Sequence, residues 1–335
     1  MSLMNIGRDR CLELIQKFHN ASVLVFGDII LDVYLDCEAL GVANEAPVPL
    51  LEVSQQKEAL GGAANVANNL ARLGVQTQLI GMVGKDPEAE MVTALLRNAG
   101  IGFCPLLSDR PTIRKTRIQS GNQYYLRIDE EETSPLTSQE ISSVLELVQK
   151  GLNSSSLVVV SDYDKGLVTA ASATLLESLA YERRLRILAD LKPRNATYWH
   201  HLDLITPNLV EARALHALVC RGDSENLPEP GLAINLSQAL GCDVVLKLAG
   251  RGMLVASRSG YMVANFPAHC KSPQNVTGAG DTVLSTLAAA MANGATVEEA
   301  TYLANVAASL AVSREATCTV SSDELISQLG LASPA

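Results

Sequence analysis

The 335-residue chain has no CxxC pair, no cysteine–histidine cluster, no run of basic residues, no internal repeat and no low-complexity linker. Each absence excludes something. The seven cysteines (11, 37, 104, 220, 242, 270 and 318) are scattered, which reads as reduced thiols serving as small core hydrophobes in a cytoplasmic protein rather than as a disulfide framework. His200 and His201 have no companions at zinc spacing, so no structural metal is expected. No apolar run approaches the roughly 18 residues that a membrane span needs, and a soluble protein with no membrane partner is expected. Lysine and arginine total 26 against 36 acids, a net charge of −10. That balance disfavours nucleic acid as a partner and leaves any anionic ligand to be held by local groups against the overall field. Two nucleotide fingerprints are missing as well. There is no GxxxxGK followed by Ser or Thr, and no GxGxxG after the first strand, which sets aside a P-loop enzyme and lowers the case for a dinucleotide dehydrogenase.

What is present is an alternation of strands and helices. Apolar residues make up 47% and charged residues 19%, enough for a sizeable core. Segments 22–28, 77–84, 156–163, 186–193 and 203–208 read as buried strands, and 243–253 as a strand and turn. Segments 8–20, 60–74, 86–100, 169–184 and 209–219 carry helical period, and two further helices follow Gly280. The spacing predicts an α/β fold with a mainly parallel sheet covered on both faces, ligands binding beyond the carboxyl ends of its strands. Two stretches break the rhythm: 33–58 reads as short strands and turns, and 112–129 as a hairpin around Ser-Gly-Asn. Together they would make a small separate sheet, suited to a lid. Segments 252–260 and 261–268 read as another hairpin, and 221–231 as a surface loop.

Three places invite chemistry. In "NVTGAGDTVL" the turn Gly278-Ala279-Gly280 opens a helix, where bare amides attract anions, yet the next residue is Asp281. The amides fit a transferring phosphoryl group and Asp281 the base that takes a hydroxyl proton; an ordinary acid in a first helical turn fits equally well. In "TPNLVEA", Asn208 and Glu211 stand three apart, either orienting waters around Mg²⁺ or forming an N-cap with its capping-box partner. In "GDIILD" and "GGAAN", Asp28 and Asp32 supply acceptors for sugar hydroxyls, Gly61 and Gly62 permit close approach of a ligand, and Asn65 offers donor and acceptor.

These motifs, in this order, resemble the PfkB (ribokinase-like) family of carbohydrate kinases over nearly the whole chain, from "VLVFGDIILD" through "GGAANVANNLARLG", "SDYDKG" and "TPNLVEA" to "NVTGAGDTVL" and "ANVAASLAV". Within the family, "EAPVPLLEV", "KTRIQSGNQYYLRID" and "CTVSSDEL" resemble D-glycero-β-D-manno-heptose-7-phosphate kinases, which make the 1,7-bisphosphate for ADP-heptose synthesis. Bifunctional members add a C-terminal nucleotidyltransferase domain, which is not expected within these 335 residues. The resemblance implies one ribokinase-like kinase domain over 1–335, with lid segments near 33–58 and 112–129 that pair two copies into a homodimer. It implies Asp281 as catalytic base, amides 278–280 as anion hole, and Asn208 with Glu211 serving ATP phosphates and Mg²⁺. Asp32, Gly62 and Asn65 match sugar-contacting positions, with Asp28 and Asp162 beside them. Lys247, Gly250, Gly252 and Asn305 fall on the nucleotide side.

Departures from the family pattern bear on the substrate. Val33, Gly41 and Gly121 stand where heptose-7-phosphate kinases commonly carry arginine, a good bidentate partner for phosphate. Lys115, Arg117, Arg127 and Lys165 remain. An unphosphorylated hexose, ketose or heptose is therefore the alternative substrate, and a catalytically silent nucleotide- or sugar-binding regulator the alternative of another class. Asn275 replaces an acid that helps relatives build a monovalent-cation site, which leaves potassium dependence open.

Overall fold

A computed structural model describes residues 7–121, 123–220, 226–269, 276–314 and 318–331. The chain opens with α1 (Arg8–Gln16), a single turn at Phe18–Asn20, and β1 (Ser22–Gly27). Two long strands follow, β2 (Ile29–Val42) and β3 (Pro49–Gly62), then α2 (Ala63–Arg72), β4 (Gln76–Val83), α3 (Pro87–Asn98) and β5 (Gly102–Leu107). The hairpin β6 (Arg114–Ser120) and β7 (Gln123–Glu130) leads to α4 (Ser138–Leu152), β8 (Leu157–Ser161), α5 (Ala170–Glu182), β9 (Arg186–Asp190) and the short α6 (Pro193–Ala196). Next come β10 (Leu204–Ile205), α7 (Leu209–Val219), α8 (Glu229–Leu240), β11 (Asp243–Lys247), β12 (Met253–Ala256) and β13 (Met262–Phe266). The last elements are α9 (Ala279–Ala292), α10 (Val297–Val312) and α11 (Ser322–Gln328).

The strands form a nine-stranded sheet in the order β13-β12-β11-β10-β9-β8-β1-β4-β5 and a four-stranded sheet in the order β3-β2-β6-β7. In the large sheet β12 pairs antiparallel with both β11 and β13, and the remaining neighbours pair in parallel. Parallel central strands are covered on both faces, which is why "SVLVFG" and "LVVVS" are almost continuously apolar. Their side chains divide by alternation: Val23 and Val25 enter the core formed with α1, α2, α9 and α10, whereas Leu24 and Phe26 enter the core formed with α4, α5, α7 and α8. From β1 the chain steps to β4 on one side and later returns to β8 on the other, so strand order reverses at β1. That reversal opens a crevice at the carboxyl ends of β1 and β8.

Helix starts differ according to where they lie. Helices α4, α5, α7, α10 and α11 open with capping boxes, in which the N-cap side chain and the third residue bond each other's backbone N–H. Helices α2 and α9 open instead on Gly62 and Gly278, at φ of 58° and 78°, with no side-chain cap. Only glycine adopts such angles without strain. Both helices begin beside the crevice.

The segment 33–58 departs from the expectation of short strands and turns. It belongs to two strands of 14 residues each that pair along their full length, with bulges near Cys37 and Gly41. Only their roots are buried, so the outer halves lack the apolar alternation by which a strand is recognised. Strand β5 and helices α4, α6, α8 and α11 are additions that the sequence reading does not name. Pro105 sits in β5 without disrupting the sheet because β5 is an edge strand.

Candidate active site

The crevice is built outward from Asp28, the residue after β1. Its carbonyl accepts the N–H of Ala63, which fixes the start of α2. Its carboxylate accepts three backbone N–H groups, from Tyr163 (2.9 Å), Lys165 (3.1 Å) and Leu167 (3.3 Å). Asp162, at the end of β8, accepts from the N–H of Asp164 (2.8 Å), the N–H of Lys192 (3.0 Å) and the amide of Asn195 (3.1 Å). Burial pushes both carboxyls above the usual range, Asp162 to about 7 with the nearby charge of Asp28 adding to the effect. Both are buried: Asp28 is turned into the main chain of the 162–167 loop, and Asp162 ties that loop to Lys192 and Asn195.

Asp281 lies in the first turn of α9, 7% exposed. The Asn65 amide donates to its Oδ2 at 2.6 Å, and the Tyr163 hydroxyl donates to its Oδ1 at 2.8 Å. Asn69, one turn along α2, donates to the Asn65 carbonyl at 2.9 Å and accepts from Thr282 at 3.1 Å, so α2 and α9 are tied together beneath the carboxylate. Burial raises the Asp281 carboxyl to about 6; the charge of Asp190 also raises it, while Asn65, Tyr163 and Lys247 pull it down. Beside it, α9 starts on Gly278 with no side-chain cap, and the N–H of Ala279 bonds the Val276 carbonyl at 3.3 Å. The Lys247 ammonium stands against this helix start, because a Cβ built on Gly280 would lie only 3.3 Å from Nζ. Lys247 is held there by Asp190 at 2.6 Å.

On the neighbouring side, Asn208 and Glu211 form the capping box of α7, with bonds of 3.0 and 2.9 Å. Glu211 also pairs with Lys192 at 2.7 Å. Lys192, the cap and the positive field of Lys247 hold the Glu211 carboxyl below its usual range although burial opposes them, so it stays ionised near neutrality. An ionised carboxylate at a helix start fits a role in holding the waters of a hydrated Mg²⁺. Among the described residues no group of three or more His, Cys, Asp or Glu side chains is arranged to hold a metal directly.

The small sheet covers this crevice from the root of β2. Asp32 lies against the backbone of Gly61 and pairs with Arg117, whose guanidinium sits 5.3 Å from the Tyr34 ring centre. Lys115 is half-buried on the same face, and Asp129, Lys165, Glu131 and Arg127 are the charges around it. Burial lowers its ammonium below the usual lysine range. Lys165 pairs with Glu131 at 2.6 Å, and Arg127 with Asp129 at 2.8 Å.

The structure thus gathers Asp281, Asn65, Gly278, Ala279, Gly280 and Lys247 into one neighbourhood, with Glu211 within reach of the Lys247 charge. Gly250 lies in the tight turn before β12, and Gly252 leads into that strand at φ of 94°. The Asn305 amide donates to the Pro267 carbonyl at 2.8 Å, which ties α10 to the chain after β13. Asn275 lies outside the described residues. Sequence reasoning did not single out Tyr163, Asp190 and Lys192 as site residues. One signal was available: Asp190 ends β9 as Asp162 follows β8, an acid at a buried strand's carboxyl end.

The comparisons with known proteins agree with this geometry. The description "pfkB family carbohydrate kinase" matches residues 20–324. The chain is 37% identical over 315 residues to the Bifunctional protein HldE of Pseudomonas entomophila, and 38% identical over 312 residues to that of Actinobacillus succinogenes. Those alignments cover 92% of this chain but only 64% and 63% of the relatives, so the chain spans about two thirds of their length or slightly less. In fold it is similar to a ribokinase from Thermotoga maritima (TM-score 0.69, 19% identity, 92% of this chain and 99% of that one). It is also similar to phosphofructokinase-2 from Escherichia coli (TM-score 0.75, 19% identity, 92% and 98%). No helix among the described residues is long and apolar enough to cross a membrane. With the family matched across the sheet, the small sheet and the helix start that carries Asp281, the chain belongs to the pfkB family of carbohydrate kinases, phosphotransferases that act on a sugar hydroxyl.

Proposed function

We propose that this chain is one kinase domain that transfers the γ-phosphoryl group of ATP to a hydroxyl of D-glycero-β-D-manno-heptose 7-phosphate, giving the 1,7-bisphosphate used for ADP-heptose synthesis. The observation that carries the reading is the placement of Asp281: a buried carboxylate held by Asn65 and Tyr163 at the uncapped start of α9. The sugar hydroxyl gives its proton to Asp281 while its oxygen attacks phosphorus in line, and the bond to ADP breaks. Amides 278–280 and Lys247 face the charge that develops on the phosphoryl oxygens. Mg²⁺, bound with ATP, would neutralise phosphate charge; Glu211, capped by Asn208, would hold its waters. Gly250, Gly252 and Asn305 are assigned to the nucleotide side. Use of ATP fits a cytoplasmic protein.

Two features favour a substrate that already bears a phosphate. Lys115, Arg117 and Arg127 lie on β6 and β7 of the small sheet, and Lys165, in the loop after β8, is among the charges around Lys115; Arg117 pairs with Asp32, which with Gly61, Gly62 and Asn65 we assign to the sugar. The missing arginines lie elsewhere. Val33 is turned into the core. Gly41 is nine positions beyond Asp32 on β2, roughly 30 Å away along an extended strand, and Gly121 is at the tip of the β6–β7 hairpin. Their loss leaves the cations at the root in place. The three departures remain the argument for an unphosphorylated hexose, ketose or heptose.

The small sheet acts in this reading as a lid and as a contact between two copies. One face carries Asp32, Lys115 and Arg117; the other carries Val53, Leu126 and Ile128, which are 55%, 55% and 44% exposed. An exposed apolar face of that kind calls for a partner, and pairing of two lids in a homodimer supplies it.

The test is ATP consumption with Mg²⁺, with and without K⁺, across heptose 7-phosphate, fructose, ribose and plain heptoses, alongside the molar mass in solution. Turnover confined to the 7-phosphate supports the reading. Turnover only on an unphosphorylated sugar replaces the substrate, and silence with ATP still bound replaces the kinase by a regulator.

A further inference from the structure

Tyr163 makes the second hydrogen bond to Asp281, yet it enters neither the anion hole nor the assigned sugar contacts. Its place is fixed from two directions. Its backbone N–H is held by the Asp28 carboxylate at 2.9 Å, within the loop that also returns Lys165 and Leu167 to the same acid. Its side chain runs from there to Oδ1 of Asp281, and the Lys192 ammonium stands 5.8 Å from its ring centre. The other donor, Asn65, rides on α2, whose first N–H is held by the Asp28 carbonyl. One buried residue therefore positions both donors.

We propose that Tyr163 is a positioning residue for phosphoryl transfer: its hydroxyl, together with the Asn65 amide, fixes the Asp281 carboxylate for the incoming sugar hydroxyl, and Asp28 is the common anchor that places both donors. This rests on the reading of Asp281 as the base. A carboxylate oxygen has two lone-pair directions, so one bond from each donor leaves a direction on each oxygen for the substrate. The phenol keeps its proton throughout, since burial and the charges of Asp281, Asp190 and Asp32 raise it well above the usual tyrosine range. The proton released by the sugar goes to Asp281 alone.

A donor aimed at the ionised carboxylate also favours that form over the protonated one. Burial and Asp190 work against ionisation at Asp281, and Asn65, Tyr163 and Lys247 work for it. Removing the Tyr163 hydroxyl should therefore raise the Asp281 pKa.

The experiment compares wild type, Tyr163→Phe, and a protein carrying 3-fluorotyrosine at position 163, a stronger donor of the same shape. The carboxyl carbons of aspartate are labelled with ¹³C and titrated by NMR, and the Asp281 resonance is assigned by its absence in Asp281→Asn. The pH profile of kcat/KM is recorded with whichever sugar the panel above shows to be turned over. The expected result is a rise in the Asp281 pKa of about one unit in Tyr163→Phe, a fall in the fluorinated protein, and an acid limb of kcat/KM that follows both. A limb and a resonance that move in neither protein overturn the inference, even if kcat falls, because a merely structural tyrosine would lower the rate equally at all pH values. Wild-type turnover in Asp281→Asn would instead remove the base, and with it the inference, whatever the titration shows. Should Tyr163→Phe fail to fold, the fluorinated protein still decides between these outcomes.

Discussion

Asp28 and Asp281 are buried carboxylates that border one crevice, and their partners separate them. Asp28 accepts three backbone N–H groups from the 162–167 loop. Asp281 accepts two side-chain donors, from Asn65 on one element and Tyr163 on another, and the helix start beside it is uncapped. A carboxylate bonded to main chain is part of the architecture. One held by side chains, with lone-pair directions left over, is available for chemistry.

The sharpest way to break this comparison is to exchange the expected losses. Asp281→Asn should cut kcat by about 10³-fold, within the range of a general base, while nucleotide binding measured by calorimetry persists. Asp28→Ala should do the opposite. It strands three backbone donors, which at about 1 kcal/mol or more each should cost roughly 3 kcal/mol of stability, seen as a lower Tm. If Asp281→Asn unfolded the protein and Asp28→Ala only slowed it, the assignment of roles would be reversed.

A smaller effect is in the pH dependence. Activity should fall about tenfold per pH unit below roughly pH 6, as Asp281 takes up its proton. The sign for stability runs the other way. The folded pKa of about 6 lies above the unfolded value of 3.8, so the folded state binds the extra proton. The stability that this contributes is complete below about pH 3.8 and lost as the pH rises to about 6. Asp281→Asn should then melt higher than wild type at pH 8, a gap that closes toward pH 4. The smallest change is expected at Lys247. Replacing it with Met removes the ammonium beside the α9 start and should raise KM for ATP by roughly tenfold, the loss of one charge-assisted contact.

Much of the site was legible in the chain. "GAGD" marked a glycine-opened helix start with an acid in its first turn because glycine and aspartate each have a definite meaning there. "TPNLVEA" offered two readings, and the structure forms the capping box. "GDIILD" was ambiguous in one respect. Asp28 and Asp32 are four residues apart on one strand-to-strand path, and nothing local distinguishes the one turned into the 162–167 loop from the one facing Arg117. Tyr163 escaped notice because the adjacent Asp162 drew attention, and because its partner Asp281 lies 118 residues away. The outer halves of β2 and β3 were unreadable as long strands, since neither face is buried there.

The sequence by itself determined the alternation of strands and helices around most of the large sheet, the glycine-opened starts of α2 and α9, and the family. These depend on local backbone preferences and on short apolar periods, which neighbouring residues settle between them. Only the tertiary structure decided which acids are bonded to main chain and which is held by side chains from α2 and the 162–167 loop, and where the cations at 115, 117, 127 and 165 stand relative to positions 33, 41 and 121. A carboxylate's role depends on its burial and on the donors that reach it, and here those donors come from strands, loops and helices far apart in the chain.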